Sequence, residues 1–172
     1  MNNRFKHLTS GTDLITVLKG CKKCFKTIAH GKHVVPHKAL PFININLKKT
    51  GFLVNSCDSP SQIGHWFTLL FSSSRIAFLC DGLNYVQKRP DVMQNIITLC
   101  QKHNYKLFIL DVRCQLQKSS VCGYIAMYMI YVYTHFSVKQ LCSLQKLFKR
   151  NGIATNQKIV LDCVKKHFRI SF

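Results

Sequence analysis

Residues Val121–Thr134, VCGYIAMYMIYVYT, carry no charge and present no polar face. As a helix such a run cannot lie on a surface, because a helix that is apolar all round must be covered on every side. It is too short to cross a bilayer, which takes about 20 residues. The block therefore predicts a central buried helix, and the rest of the chain must supply the layers that enclose it. A short polar stretch, QLQKSS (115–120), leads into it, and Cys122-Gly123 stands at its mouth. Ser119 or Ser120 is expected to cap the first turn.

The other segments supply those layers. SGTDLITVLKG reads as a short helix with Ser10 or Thr12 as N-cap and Gly20 just past its end. The basic stretch CKKCFKTIAHGKHVVPHK that follows is loop-like, punctuated by Gly31 and Pro36. Strands are expected at PFININL (41–47), GFLVN (51–55), HWFTLLF (65–71), RIAFLCD (75–81) and KLFILDV (106–112). The serines at 72–74 give a hairpin-sized turn between the third and fourth. RPDVMQNIITLCQKH has Pro90 near its start and Val92, Met93, Ile96, Ile97 and Cys100 at helical spacing. Two amphipathic helices, SVKQLCSLQKLFKR (137–150) and NQKIVLDCVKKHF (156–168), close the chain. The expected fold class is α+β: a mainly antiparallel sheet around a central buried helix that starts at Cys122. No repeat or linker interrupts residues 1–172, so a single domain is expected.

Composition bears on partners. There are 25 Lys and Arg against 6 acidic residues, a formal charge of +19, and every acid is Asp. A domain this basic attracts polyanions, and non-specific DNA is the expected partner. The alternative is a lysine excess that reflects genome composition alone. Candidate contacts are Lys22, Lys23, Lys26, Lys32, Lys48 and Lys49, with the KLFKR and KK groups near the end of the sequence. Nine cysteines, an odd number at irregular spacing and partly inside apolar runs, point to reduced thiols in a cytosolic or nuclear compartment. The opening residues lack the continuous apolar core of a signal peptide. No membrane association and a monomer are expected.

Three local features stand out: GHWF, with His65 at the start of a strand; FLCDGLN, with Asp81 at the end of the next; and Gln115, six residues, then Cys122-Gly123. A cysteine in the first helical turn meets unpaired N–H groups and the positive end of the macrodipole, both of which favour thiolate. An imidazole beside it completes an ion pair, and a carboxylate fixes the ring's orientation. If strands 65–71 and 75–81 form a hairpin, His65 and Asp81 face each other across it. A glutamine side chain and the Cys122 backbone N–H can then hold an oxyanion. Taken singly, such a His, Asp or Cys is more often a structural residue. Gln117 is an alternative to Gln115, and Asp111 to Asp81. Trp66 either walls the cleft or packs in the core.

In this order and spacing the motifs resemble those of the adenain family, the adenovirus-type maturation cysteine proteases, which share a fold with Ulp1-type proteases. The segment PHKALPFININL resembles the family's sequence at that place, so the likeness covers most of the chain. It implies the papain-like/Ulp1-like cysteine protease architecture, with Cys122 as nucleophile, His65 as general base, Asp81 orienting it and Gln115 as oxyanion donor. Many adenains carry Glu where Asp81 stands; the Ulp1 branch carries Asp, and this chain contains no Glu. Six residues between Gln115 and Cys122 match adenains, whereas Ulp1-type enzymes usually have five. The implied activity is cleavage next to Gly, often Gly-Gly, in viral capsid and core precursor proteins during virion maturation. It would take place in the virion, the host nucleus or a cytoplasmic assembly site. Alternatives are a ubiquitin- or SUMO-like deconjugating protease and a catalytically silent basic DNA-binding virion protein.

The resemblance also implies stimulation by viral DNA and by a capsid-derived peptide that can attach through a disulfide. Cys100 falls in the corresponding region, but its local motif does not match, and it fits the apolar face of its own helix. CKKC (21–24), followed by His30, His33 and His37, invites a zinc reading. Only five residues separate it from His30, against about a dozen in the usual finger, so no metal is expected.

Overall fold

The computed structural model describes residues 10–46, 49–59 and 63–170. Its helices are α1 (Gly11–Leu18), α2 (Lys22–Thr27), α3 (Pro90–Lys102), α4 (Cys122–His135), α5 (Val138–Arg150) and α6 (Ile153–Phe168). Its strands are β1 (Val34–Pro36), β2 (Thr50–Asn55), β3 (Trp66–Phe71), β4 (Ile76–Cys80) and β5 (Lys106–Leu110), in the order β1-β2-β3-β4-β5. The class is α+β, as expected, but the sheet is mixed. β2–β3 and β3–β4 are antiparallel, whereas β1–β2 and β4–β5 are parallel. The expectation of a mainly antiparallel sheet is corrected by α3, which carries the chain from β4 back to the same end before β5. A strand that returns through a helix comes back parallel.

Both faces of the sheet are covered, which is why the strands read as continuous apolar runs. Trp66, Leu70, Phe78 and Cys80 turn toward α4, while Phe67, Leu69, Phe71, Ala77 and Leu79 turn toward α3. Between Trp66 and Leu70 on the α4 face, Thr68 donates its hydroxyl to the Ala126 carbonyl at 3.2 Å. α4 sits where its composition demands, with Tyr124–Ile130 all buried. Tyr133, also buried, keeps its polar end satisfied by donating to the Phe71 carbonyl at 2.6 Å.

Several local expectations need correction. Segment 41–47 is not a strand: His37–Phe42 form a 3₁₀ turn and 43–46 are irregular, while Leu47 lies outside the described residues. Pro41 has no N–H to give a ladder, and Ile43 and Ile45 pack against the α3-side core instead. The Ile43 carbonyl accepts from His103 Nε2 at 3.0 Å. The stretch read as a basic loop forms α2, a short 3₁₀ turn and β1. Gly31 adopts φ +92° there, a value that suits glycine. Ser10 does cap α1, in a reciprocal box with Asp13. At α4 neither Ser119 nor Ser120 is the cap: Val121 takes that position with no side-chain hydrogen bond. Ser119 turns away to the Leu116 carbonyl and the Gln157 side chain. The N-cap side chain therefore satisfies none of the first-turn N–H groups of α4, and these are the groups nearest Cys122.

Candidate active site

His65 lies immediately before β3, and its backbone is held on both sides by Ser56. The Ser56 hydroxyl accepts the His65 N–H at 3.0 Å, and the Ser56 N–H donates to the His65 carbonyl at 2.9 Å. Gly64 permits this approach, since a Cβ there would collide with the Asn55 side-chain oxygen and come within 2.6 Å of the Cys57 sulfur. Asp81 lies immediately after β4 and is oriented by the turn that follows. Its Oδ1 accepts the Leu83 N–H at 3.0 Å and its Oδ2 the Val86 N–H at 2.8 Å. The hairpin then brings the two together, with His65 Nε2 2.5 Å from Asp81 Oδ1.

Cys122, the first residue of α4, completes the line. Its thiol lies within the influence of His65 and of the backbone N–H groups of Trp66 and Gly123, each of which favours the thiolate. With Nε2 committed to Asp81, the ring nitrogen left for sulfur is Nδ1. Two elements meet here because Gly82, just past Asp81, approaches the first turn of α4 closely: a Cβ on it would lie 3.0 Å from Ile125. The Gly82 carbonyl also accepts the N–H groups of Cys114 and Gln115, both at 3.1 Å. One glycine thus ties the carboxylate, the glutamine segment and the Cys122 helix together.

The electrostatics follow from this packing. Burial pulls His65 toward neutrality, but the hydrogen bonds to Asp81 and Cys122 outweigh it and carry its pKa from 6.5 to about 9. Burial likewise opposes ionisation of Asp81 and Cys122. In each case the bond to His65, with backbone N–H donors, wins and holds the pKa below its ordinary value. The direction at Cys122 contrasts with the core thiols: burial pushes Cys24, Cys80, Cys100, Cys114 and Cys163 up. Between the lowered thiol pKa and about 9, the favoured state is thiolate beside imidazolium.

Gln115 is buried, 4% exposed, and anchored by Nε2 donating to the Ser119 carbonyl at 2.8 Å. One N–H of that amide is used; the second is not consumed by this bond. Gln117 is exposed on the adjoining turn, so the buried, fixed amide belongs to Gln115. Asp111 is removed from the histidine and takes Asn84, Arg113 and Lys149 as partners. Trp66 is 1% exposed and packs in the core on the α4 side, contributing its backbone N–H and not a cleft wall. A cavity of about 550 Å³ opens beside the site, lined by Gly82, Leu83, Lys88, Arg113 and Gln115 among others. It shares Gly82 and Gln115 with the cluster, while His65 and Cys122 lie beyond its lining.

Sequence reasoning missed three contributors. Tyr85 stacks edge-on against the His65 ring at 5.5 Å, and Arg89 donates to its hydroxyl at 2.9 Å. Its only signal was a position four residues after Asp81. Gly64 and Gly82 could have been suspected from their places beside the histidine and the aspartate. Cys100 is buried in the α3-side core, as its helical face suggested. The candidate DNA-contacting lysines 22, 23, 26, 32 and 49 are exposed, as are Lys146, Lys149, Arg150, Lys165 and Lys166; Lys48 lies outside the described residues. Among the described residues no helix is long and apolar enough to cross a membrane.

The histidines set beside CKKC in the sequence face elsewhere. His30 packs edge-on against Phe25, His33 Nδ1 bonds Thr50, and His37 bonds Asn95. A different histidine, His135 at the end of α4, approaches Cys21 and Cys24. No protein-family model matches the chain, and no curated protein matches it.

Proposed function

We propose that the protein is a cysteine endopeptidase of the adenain type, with the papain-like/Ulp1-like architecture and a Cys122–His65–Asp81 triad. One observation carries this: the Cys122 thiol is drawn below its ordinary pKa, against its burial, chiefly by an imidazole whose Nε2 is locked on a buried carboxylate. Packing alone would leave a buried thiol raised, as at Cys80 and Cys114.

The chemistry runs from these groups. The Cys122 thiolate attacks a scissile carbonyl carbon, and the carbonyl oxygen takes up the negative charge. The Cys122 N–H and the Gln115 side-chain amide are the donors for that oxyanion. The His65 imidazolium gives its proton to the leaving amine, and a thioester remains. Neutral His65 then takes a proton from water, which attacks the thioester, and the thiolate is regenerated beside imidazolium. Asp81 keeps the ring oriented throughout.

By the resemblance, the substrates are capsid and core precursor proteins cut next to Gly within an assembling virion. The +19 charge supports binding to packaged DNA, which would hold the enzyme among its substrates. A capsid-derived peptide remains a further candidate activator. The test is incubation of wild type and Cys122→Ala with virion precursor proteins and Gly-Gly peptides, with and without DNA. Cleavage by wild type alone, stimulated by DNA and weakened by salt, is expected. Equal cleavage by both proteins rejects the triad. Turnover restricted to ubiquitin-like fusions replaces the maturation role with deconjugation, a branch that also carries Asp at the third position.

A further inference from the structure

Away from the triad, three ligand-bearing side chains meet at the junction of α2 and the end of α4. One ligand atom each from Cys21, Cys24 and His135 lies within 4.8 Å of the others. Cys21 is the N-cap of α2 and Cys24 is buried one turn on, so the Cys-x2-Cys spacing turns both sulfurs to one side. His135 is the last residue of α4 and exposed. We propose that Cys21, Cys24 and His135 form a binding site for a soft, tetrahedral divalent cation, zinc above all.

Four features support the site independently of its spacing. The imidazole of His135 is oriented: Nδ1 lies 3.1 Å from the Tyr131 carbonyl. A carbonyl takes a proton, so Nδ1 carries the hydrogen and Nε2 is left with a free lone pair. This is the outer-shell arrangement that fixes metal-binding histidines. One sulfur also has a donor suited to a thiolate: Cys21 Sγ accepts the Cys24 N–H at 3.4 Å.

The third feature is the proximity of the two thiols, Cys21 Sγ donating to Cys24 Sγ at 2.7 Å. Loss of their protons would leave two thiolates that repel strongly, and a dication bound by both removes that repulsion. A tetrahedral zinc with Zn–S near 2.3 Å and Zn–N near 2.0 Å sets its ligand atoms about 3.6–3.8 Å apart. The sulfurs would part by about 1 Å and His135 would close by a similar amount. Both movements are within reach of an exposed ring and a cysteine at a helix cap. The fourth feature is charge. Zinc with two thiolates and a neutral imidazole is neutral overall, which suits a helix flanked by Lys22, Lys23 and Lys26. Cation sites built on carboxylates would need acids, and α2 has none.

A bound ion would join α2 to the helix whose first residue is Cys122. The site is thus a structural clamp at the far end of α4 from the triad, and it does not depend on the catalytic reading. The test is cobalt titration of reduced, chelator-stripped full-length protein, followed by displacement with zinc. Expected are one equivalent bound, a thiolate-to-cobalt charge-transfer band, tetrahedral visible bands, and a melting temperature higher by several degrees with zinc. Cys21→Ser and Cys24→Ser abolish the band. His135→Ala, at an exposed position where folding is not at stake, weakens binding at least about ten-fold. Cys122→Ala leaves the band intact. The proposal is overturned if the reduced wild type shows no charge-transfer band. It is equally overturned if His135→Ala binds as tightly as wild type, or if Cys21 and Cys24 form a disulfide whose reduction yields no cobalt binding.

Discussion

Asp81→Asn removes one charge from the centre of the site with little change in shape. The His65 side chain is 10% exposed and that of Asp81 1%, so their interaction is poorly screened. The rise of the His65 pKa from 6.5 to about 9 corresponds to roughly 3 kcal/mol in favour of the charged ring. Asp81 and Cys122 share that effect against the cost of burial. Asparagine can still accept from His65, but its amide nitrogen then faces the Val86 N–H, a donor against a donor, where Asp81 Oδ2 accepts at 2.8 Å. If Asp81 supplies at least half of the 3 kcal/mol, the alkaline limb of Cys122 alkylation moves down by about one pH unit or more. Iodoacetamide labelling, read by mass spectrometry on the Cys122 peptide, reports this without any substrate. Stability provides a second reading. A histidine raised on folding stabilises fully below 6.5 and loses that contribution as pH rises through about 9. Wild type should therefore weaken toward urea across that window, and Asp81→Asn should show a flatter dependence. An alkaline limb still at about 9 in the variant would refute the assignment of Asp81 as the orienting charge.

Other substitutions separate position from chemistry. Gly64→Ala forces a Cβ against Asn55 and Cys57; a cost of about 1–3 kcal/mol is expected, with slower Cys122 labelling as His65 is displaced, measured by urea melts and mass spectrometry. Gln115→Ala should lower kcat/KM about 10²–10³-fold on any cleaved peptide. Cys122 alkylation should hardly change, because the role proposed for Gln115 is to hold an oxyanion and not the thiolate. Ser137→Ala removes the capping box with Gln140 at the start of α5 and should cost about 1 kcal/mol in chemical denaturation, leaving labelling untouched.

Much of this architecture could be read from the chain because single residues dictated it. The apolar block at 121–134 had to be central, and Ser10, Pro90 and Ser137 marked helix starts that the structure retains. Strand direction was misjudged although helix 89–103 stood between two strands, the pattern of a parallel return. PFININL had the alternation of a strand, yet Pro41 and the His103 side chain that satisfies the Ile43 carbonyl won over its periodicity. The order His, Asp, Cys in sequence reflected the hairpin, so His65, Asp81 and Cys122 emerged together. What sequence could not show was long-range: Tyr85 against His65, Gly82 against Ile125, and His135 beside a Cys-x2-Cys pair far earlier in the chain. Such contacts depend on how elements dock, and no local pattern encodes them.

The central claim is that Cys122 rests as a thiolate paired with imidazolium, and its alkylation rate at pH 6 tests this most directly. The rate for the Cys122 peptide in native protein should exceed that in urea-unfolded protein by at least about ten-fold, since folding lowers this thiol's pKa. A native rate equal to or below the unfolded one would mean that the sulfur is ordinary packing, and the triad would fall with it.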